Sequence, residues 1–140
     1  MTKILFVCSK NAGKSQMAAG LLEKLLTDDP VTGVEVASAG TNAGTTVNPE
    51  SVEVLAEQGI DIAGRTPRQL TDELQRESAL VVILGAEANP EQVDGPRYLT
   101  WITDEPAERG IEGLERMRLI RDDIAERVAD LHTGLAADLN

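Results

Sequence analysis

Near the beginning of the chain stands the sequence Val7-Cys8-Ser9-Lys10-Asn11-Ala12-Gly13-Lys14-Ser15, between an apolar run from Ile4 and an amphipathic segment from Met17. This pattern predicts a strand that enters a short loop and is followed by a helix. The backbone N–H groups of such a loop converge on one point, and the helix dipole adds positive potential there. We therefore expect the loop to bind a tetrahedral oxyanion.

Cys8 is the only cysteine of the 140 residues, and it opens this loop. Because an electropositive loop favours the deprotonated form of a thiol, we interpret Cys8 as a thiolate that faces the oxyanion. A structural role is one alternative, since free cysteines are often buried and inert. A nucleotide-binding P-loop is another, because Gly13-Lys14-Ser15 matches the end of its pattern, although Cys8 occupies the place of its first glycine.

Composition and charge limit the classes of partner. We expect residues 1–140 to form one domain, with 13 basic and 24 acidic residues that give a net charge of −11. This charge argues against nucleic acid and an anionic membrane as partners. The absence of a long apolar run and of a disulfide partner predicts a cytoplasmic protein. With one histidine and one cysteine, neither a metal site nor a permanently bound cofactor is expected.

Alternating apolar runs and amphipathic segments predict an α/β protein. Strands are predicted at residues 3–8, 34–38, 80–84 and 98–102, and helices at residues 15–27, 49–58, 72–77 and 111–135. This order is typical of a three-layer αβα sandwich with a four-stranded parallel sheet. The half-polar strand 34–38 is expected at an edge. Ligands of such sheets bind at the carboxyl ends of the strands, where Cys8 lies.

The spacing of Cys8 and Lys14-Ser15 resembles the C-x5-R-S signature of the low-molecular-weight protein tyrosine phosphatases and of the arsenate reductases that share their fold. Similar landmarks follow in the same order along almost the whole chain: Ser38-Ala39-Gly40-Thr41, Gly59-Ile60-Asp61-Ile62, the strand from Val81 to Leu84, the acidic loop Thr103-Asp104-Glu105-Pro106, and Arg121-Asp122-Asp123-Ile124. The resemblance implies a low-molecular-weight phosphatase-like fold and an enzyme that acts on a tetrahedral oxyanion.

The resemblance also implies roles for individual residues. The catalytic group comprises Cys8, Lys14 and a proton donor from the acidic loop, Glu105 or Asp104. Glu105 is favoured because it directly precedes Pro106, as the acid of the family precedes its proline. The oxyanion is expected to be held by Ser9, Lys10, Asn11, Ala12, Gly13, Lys14 and Ser15. Within this loop, Asn11 is expected to fix the conformation and Ser15 to donate a hydrogen bond to the thiolate.

Departures from the family pattern indicate which of the functions found in the family this chain has. Lys14 replaces the family arginine, so that a point charge replaces a two-pronged donor. Gly85 stands where thioredoxin-coupled arsenate reductases have a second cysteine, and with a single cysteine no internal disulfide relay is possible. The chain is thus similar to the mycothiol-dependent arsenate reductases, or arsenate–mycothiol transferases. This similarity implies arsenate as substrate, mycothiol as co-substrate and mycoredoxin as the partner that releases arsenite.

Two other functions stay open, a low-molecular-weight phosphatase and a non-catalytic oxyanion-binding module. Four residues outside the motifs have simpler expected roles. His132 is expected to be solvated or to cap a helix, and Trp101 to lie in the core beneath the acidic loop. Arg65 and Arg68 are expected either to contact the anionic or sugar part of a thiol or to form surface ion pairs.

Overall fold

The structure of the chain is a computed structural model that describes residues 2–139, with side chains described for residues 2–137. Its strands are β1 (Thr2–Cys8), β2 (Val34–Gly40), β3 (Leu80–Leu84) and β4 (Arg97–Trp101). Its helices are α1 (Lys14–Asp28), α2 (Pro49–Ala56), α3 (Asp72–Arg76) and α4 (Gly113–Leu139), and a short 3₁₀ helix spans Pro106–Arg109. Every helix within the described residues is too short or too polar to traverse a lipid bilayer.

The strands form a parallel sheet in the order β2-β1-β3-β4. The predicted four-stranded parallel sheet and the edge position of β2 are therefore confirmed. The chain runs from β1 to β2 on one side and then crosses back to β3 on the other side. The strand order thus reverses at β1, and Cys8 is the last residue of β1. In open α/β sheets, ligands bind at this point of reversal.

Helices cover both faces of the sheet, which gives the three predicted layers. Ile4, Phe6 and Cys8 on one face of β1 pack in the main apolar core with residues of α1, α2 and α4. Leu5 and Val7 on the opposite face pack with residues that include Leu74 of α3. Because both faces of β1 and β3 are covered, all of β3 and residues 4–8 of β1 are apolar and buried.

The remaining differences from the sequence prediction lie at element ends. The helix predicted at 49–58 ends at Ala56, because the chain turns there to reach Gly59 in a left-handed conformation with a φ of 76°. The last strand ends at Trp101 rather than at residue 102, and Ile102 is 60% exposed. Trp101 packs against the main core as expected, with its ring centroid 5.9 Å from that of Phe6.

Candidate active site

The sulfur of Cys8 lies inside the loop that joins β1 to α1. Cys8 Sγ is 2.9 Å from Ser15 Oγ, and it accepts a hydrogen bond from the backbone N–H of Asn11 at 3.2 Å. The Ser15 oxygen itself accepts from Asn11 Nδ2 at 2.7 Å, so its own proton is free to point at the sulfur. Two donors are therefore positioned to stabilise a sulfur anion, and Cys8 retains 7% exposure at the carboxyl edge of the sheet.

Asn11 fixes the conformation of this loop. It adopts a φ of 53°, in the left-handed region that asparagine tolerates better than most residues. Its Oδ1 accepts from the backbone N–H of Arg68 at 2.8 Å and from Gln16 Nε2 at 3.1 Å, and the side chain is fully buried. These contacts join the loop to α1 and to the segment before α3, so the position of Asn11 matches the role expected from the sequence.

The carbonyl groups of the loop face a second segment, residues 41–48. Backbone N–H groups of this segment donate to them, from Thr41 to Cys8 at 3.0 Å, from Asn42 to Ser9 at 2.8 Å, from Gly44 to Lys10 at 2.9 Å and from Asn48 to Ala12 at 2.8 Å. Within the described residues, the N–H groups of Lys10, Ala12 and Gly13 donate to no backbone carbonyl. Residues 41–48 thus occupy the carbonyl groups of the loop, and these three N–H groups stay available to an oxyanion.

The sequence analysis missed the contribution of residues 40–48. Gly40 packs so closely on the loop that a Cβ atom added there would lie 2.8 Å from backbone atoms of Ser9, Lys10 and Asn11. The only sequence signal was the Gly/Thr/Asn-rich composition of the segment, which indicates a loop but not its contact. This close approach explains why glycine ends β2.

The two lysines of the loop differ in their surroundings. Lys14 begins α1, and its Nζ lies 3.5 Å from the position that a Cβ atom of Gly85 would occupy. Its ammonium group is thus at the end of β3, beside the turn after that strand. Lys10 is exposed, and its side chain has no ion pair among the described residues. Lys14 is thus half-buried, whereas Lys10 extends into solvent.

The acidic loop carries its two candidate carboxyl groups in ion pairs. Asp104 binds both guanidinium nitrogens Nη1 and Nη2 of Arg109, at 2.7 and 3.0 Å. Glu105 binds Arg116 in the same two-pronged manner, with 3.1 Å between Arg116 Nε and Glu105 Oε2. The hydrogen bonds from Arg109 and Arg116 hold the pKa of Asp104 and of Glu105 below their usual ranges, and the Lys14 charge lowers the pKa of Glu105 further.

The ion pairs of Asp104 and Glu105 affect which carboxyl group can act as the predicted proton donor. A carboxyl group with a lowered pKa is ionised at neutral pH and has no proton to give. The side chains of Asp104 and Glu105 are equally exposed, at 35% each, and each is held by an arginine, but the Lys14 charge acts on Glu105 alone. The preference for Glu105 over Asp104 as the proton donor therefore stays a prediction. The sequence pattern did not indicate the Arg109 and Arg116 pairs, because only the fold brings these side chains to the carboxyl groups.

Replacing Arg116 with methionine is expected to raise the pKa of Glu105 toward its ordinary value near 4.5, because the two-pronged hydrogen bond is lost. Since this pKa is lowered in the folded wild type, the ion pair stabilises the fold above that ordinary value, and the effect disappears as the pH falls through the folded pKa. Carboxyl-carbon NMR titration measures the shift directly.

Arg118→Met is the matched control for this titration. Arg118 and Arg121 hold Glu57, and they lower its pKa from 4.5 to about 2. The control is expected to raise the pKa of Glu57 and to leave that of Glu105 unchanged. An unchanged Glu105 midpoint in Arg116→Met would show that Arg116 does not set its charge.

Other residues singled out in the sequence have structural partners. Arg65 forms an ion pair with Glu23 at 2.9 Å, so a surface pair is confirmed for this side chain. His132 is buried, and its Nε2 lies 2.8 Å from the carbonyl oxygen of Asp29, at the end of α1. This contact fits the expected capping role. Within the described part of the chain, no three His, Cys, Asp or Glu side chains are placed to hold a metal ion.

Comparison with known proteins gives a consistent result. The sequence profile of the low molecular weight phosphotyrosine protein phosphatases matches residues 3–140. A protein named putative arsenate reductase, from Halobacterium salinarum, is 41% identical over 135 residues, which cover 93% of this chain and 90% of that protein.

Two solved structures are similar throughout this chain. A thioredoxin-dependent arsenate reductase of Corynebacterium glutamicum superposes with a TM-score of 0.80 at 30% identity. The match covers 99% of this chain and 63% of that one, so this chain spans less than two thirds of its length. An arsenate reductase in the phosphate binding state has a TM-score of 0.79 at 30% identity, and the match covers 96% and 99% of the two chains.

Proposed function

This chain belongs to the low molecular weight phosphotyrosine protein phosphatase family, and from that premise we propose that it reduces arsenate with an external thiol. The observation that carries the proposal is the position of Cys8 Sγ beside the Asn11 N–H and the Ser15 hydroxyl. It lies in a loop where the N–H groups of Lys10, Ala12 and Gly13 donate to no backbone carbonyl of the described residues. The name of the Halobacterium relative and the titles of both similar structures support arsenate as the oxyanion.

Arsenate is tetrahedral and anionic, so the amides of residues 9–15 and the ammonium group of Lys14 suit it. The thiol displaces one arsenate oxygen, which leaves as water, and a sulfur–arsenic bond forms. Glu105 supplies a proton to the departing oxygen once the bound anion has raised its pKa. Two roles of Cys8 fit this step: it attacks arsenic first and is then displaced by the thiol, or it orients the anion by its charge.

A second thiol completes the reduction. It attacks the sulfur of the adduct, a disulfide forms, and the electron pair of the broken sulfur–arsenic bond reduces arsenic from the +5 to the +3 state. Cys8 is the only cysteine of the chain, so both of these thiols come from other molecules. The second thiol can belong to a small molecule or to a partner protein. We propose mycothiol as the first thiol and mycoredoxin as the source of the second.

The support for mycothiol is the combination of a single cysteine, Lys14-Ser15 in the loop and Glu105 before Pro106, which resembles the arsenate–mycothiol transferases. Gly85 at the end of β3 offers no resolving thiol, which supports an external one. We place the reaction in the cytoplasm, where small thiols are kept reduced.

An arsenite-release assay tests the proposal with three reductants: mycothiol with mycoredoxin, glutathione with glutaredoxin, and thioredoxin alone. Turnover is expected with the first pair and at most a small rate with thioredoxin, because the chain has no internal disulfide to be reduced. Efficient turnover with thioredoxin alone would contradict an external low-molecular-weight thiol.

A phosphatase is the second candidate, because the family profile is that of a phosphatase. Its chemistry needs no thiol, so hydrolysis of an aryl phosphate in the absence of reductant distinguishes it. Lys14 argues against it, since a lysine lacks the two-pronged hold on phosphate oxygens that arginine provides.

A further inference from the structure

A cavity of about 230 Å³ lies at the carboxyl edge of the sheet, between the ends of β3 and β4 and the loop that follows β3. We call it the Gly85 pocket. Its lining includes Gly85, Asn89, Gln92, Thr100 and Ile102. Ile102 is the most exposed large apolar side chain of the described residues, so the pocket has an open apolar rim.

The Gly85 pocket is adjacent to the oxyanion loop. Gly85 lines the pocket, and a Cβ atom added to it would lie 3.5 Å from Lys14 Nζ. Gly85 also has a φ of 92°, a conformation that disfavours any other residue. A side chain at this position would therefore be strained and would reach contact distance of Lys14 Nζ.

The lining of the pocket contains no charged side chain. Among mostly apolar residues, Asn89 and Gln92 supply exposed amide groups and Thr100 supplies an exposed hydroxyl group. These groups both donate and accept, so they match hydroxyl and amide groups of a ligand. A carboxylate in the pocket would find no cationic partner in the lining, at a cost in desolvation.

Acidic side chains of the same loop act against an anionic ligand. Glu87 Oε2 lies 3.7 Å from the Cβ position of Gly85, and Glu91 and Asp94 are exposed farther along the loop. Their repulsion adds to that of the net charge of −11. A neutral thiol avoids this repulsion, whereas glutathione, which has two carboxylates and one ammonium group, does not.

The pocket is held in shape by the only tyrosine of the chain. Tyr98 donates from its hydroxyl group to Gln75 Oε1 at 2.7 Å and accepts from the backbone N–H of Val93 at 3.0 Å. Gln75 in turn donates to the carbonyl oxygen of Glu91 at 3.1 Å. These bonds anchor the loop that forms one wall, so a ligand meets a largely preformed site.

We propose that the Gly85 pocket binds the non-reacting part of the external thiol and selects an uncharged thiol that carries hydroxyl and amide groups. This inference rests on the proposed function and deepens it. The sulfur of the thiol passes Gly85 to reach the arsenate beside Lys14, while the rest of the molecule stays in the pocket. The volume of 230 Å³ suits a fragment about the size of one sugar ring, below the range of pockets that enclose a whole drug-sized ligand.

The double variant Asn89→Ala, Thr100→Val tests the proposal. At saturating arsenate and excess mycoredoxin, the KM for mycothiol is expected to rise roughly tenfold, since hydrogen bonds to the thiol are lost. The KM for arsenate and the kcat are expected to stay near the wild-type values. Thr27→Val, at an exposed position of α1, is the matched control and is expected to leave both KM values unchanged.

A binding measurement distinguishes the assignment of the Gly85 pocket from the proposed function. S-methylated mycothiol cannot react, and NMR is expected to show shifts of the Asn89 and Gln92 side-chain amides that saturate with the analogue but not with S-methylglutathione. Wild-type turnover combined with an unchanged mycothiol KM in the double variant would overturn the Gly85 pocket alone. Absence of arsenate turnover with any thiol would overturn the proposed function, and the pocket assignment with it.

Discussion

Cys8→Ser is expected to abolish thiol-dependent arsenate reduction, with a fall in kcat of roughly a thousandfold or more. A serine hydroxyl cannot act as the thiolate that the proposed reaction requires, even though the Asn11 N–H and the Ser15 hydroxyl still point at this position. The loss of activity is expected for both proposed roles of Cys8, as the group that attacks arsenic and as the charge that orients arsenate. Steady-state arsenite release with mycothiol and mycoredoxin measures the effect.

The matched control for this substitution is Ser15→Ala, which removes one hydrogen bond to the sulfur and leaves the thiol in place. Its loss of kcat is expected to be roughly tenfold, because the sulfur keeps the Asn11 N–H as a donor, while Asn11 Nδ2 loses its acceptor. Binding of arsenate to Cys8→Ser, followed by NMR at the amides of residues 9–15, is expected to persist, since the loop N–H groups remain. Full activity of Cys8→Ser would reject a catalytic thiol and favour a role of Cys8 in structure alone.

Gly40→Ala is expected to have the second largest effect, on both binding and stability. The new Cβ atom would lie 2.8 Å from Asn11 N, Lys10 C and Ser9 O, which are backbone atoms and cannot rotate away. Relief of this overlap must displace the oxyanion loop or β2, at a cost of about 1–3 kcal/mol in the free energy of unfolding. Because the loop donors then no longer converge, arsenate binding is expected to weaken by at least tenfold.

Gly44→Ala provides the matched control in the same segment. Its added Cβ atom would lie 3.8 Å from Lys10 O and 3.9 Å from Lys10 Cβ, which are ordinary contact distances. Thermal unfolding and arsenate titration of the two variants are compared side by side. Equal behaviour of Gly40→Ala and Gly44→Ala would contradict the proposed support of the loop by Gly40.

Parts of the fold and the site followed from local patterns. The strand, loop and helix around Cys8 were predictable because an apolar run, a short polar loop and an amphipathic repeat follow one another directly. The same holds for α3, where Thr71 caps the helix by accepting from the N–H of Leu74 at 3.1 Å. The edge position of β2 followed from its alternating pattern, since one face of an edge strand can stay polar.

Element ends were less predictable, because they depend on where the chain must turn to pack. The helix predicted at residues 49–58 extends beyond the observed end of α2 at Ala56, and the strand predicted at 98–102 extends beyond the observed end of β4 at Trp101. The partners of the acidic loop were also not predictable. Arg116 reaches Glu105 only because α4 passes beside that loop, and the backbone N–H of Asp104 donates to Asp123 of the same helix at 2.8 Å.

By itself, the sequence determined the order of strands and helices, the loop at Cys8 and the lack of a second thiol for an internal disulfide, because these follow from neighbouring residues and from a count of one cysteine. Only the tertiary structure decided that Gly40 supports that loop, that Arg116 lowers the pKa of Glu105 and that Gly85 lies beside Lys14. These contacts join residues that are far apart along the chain, and their distances are set by packing, which local spacing does not encode.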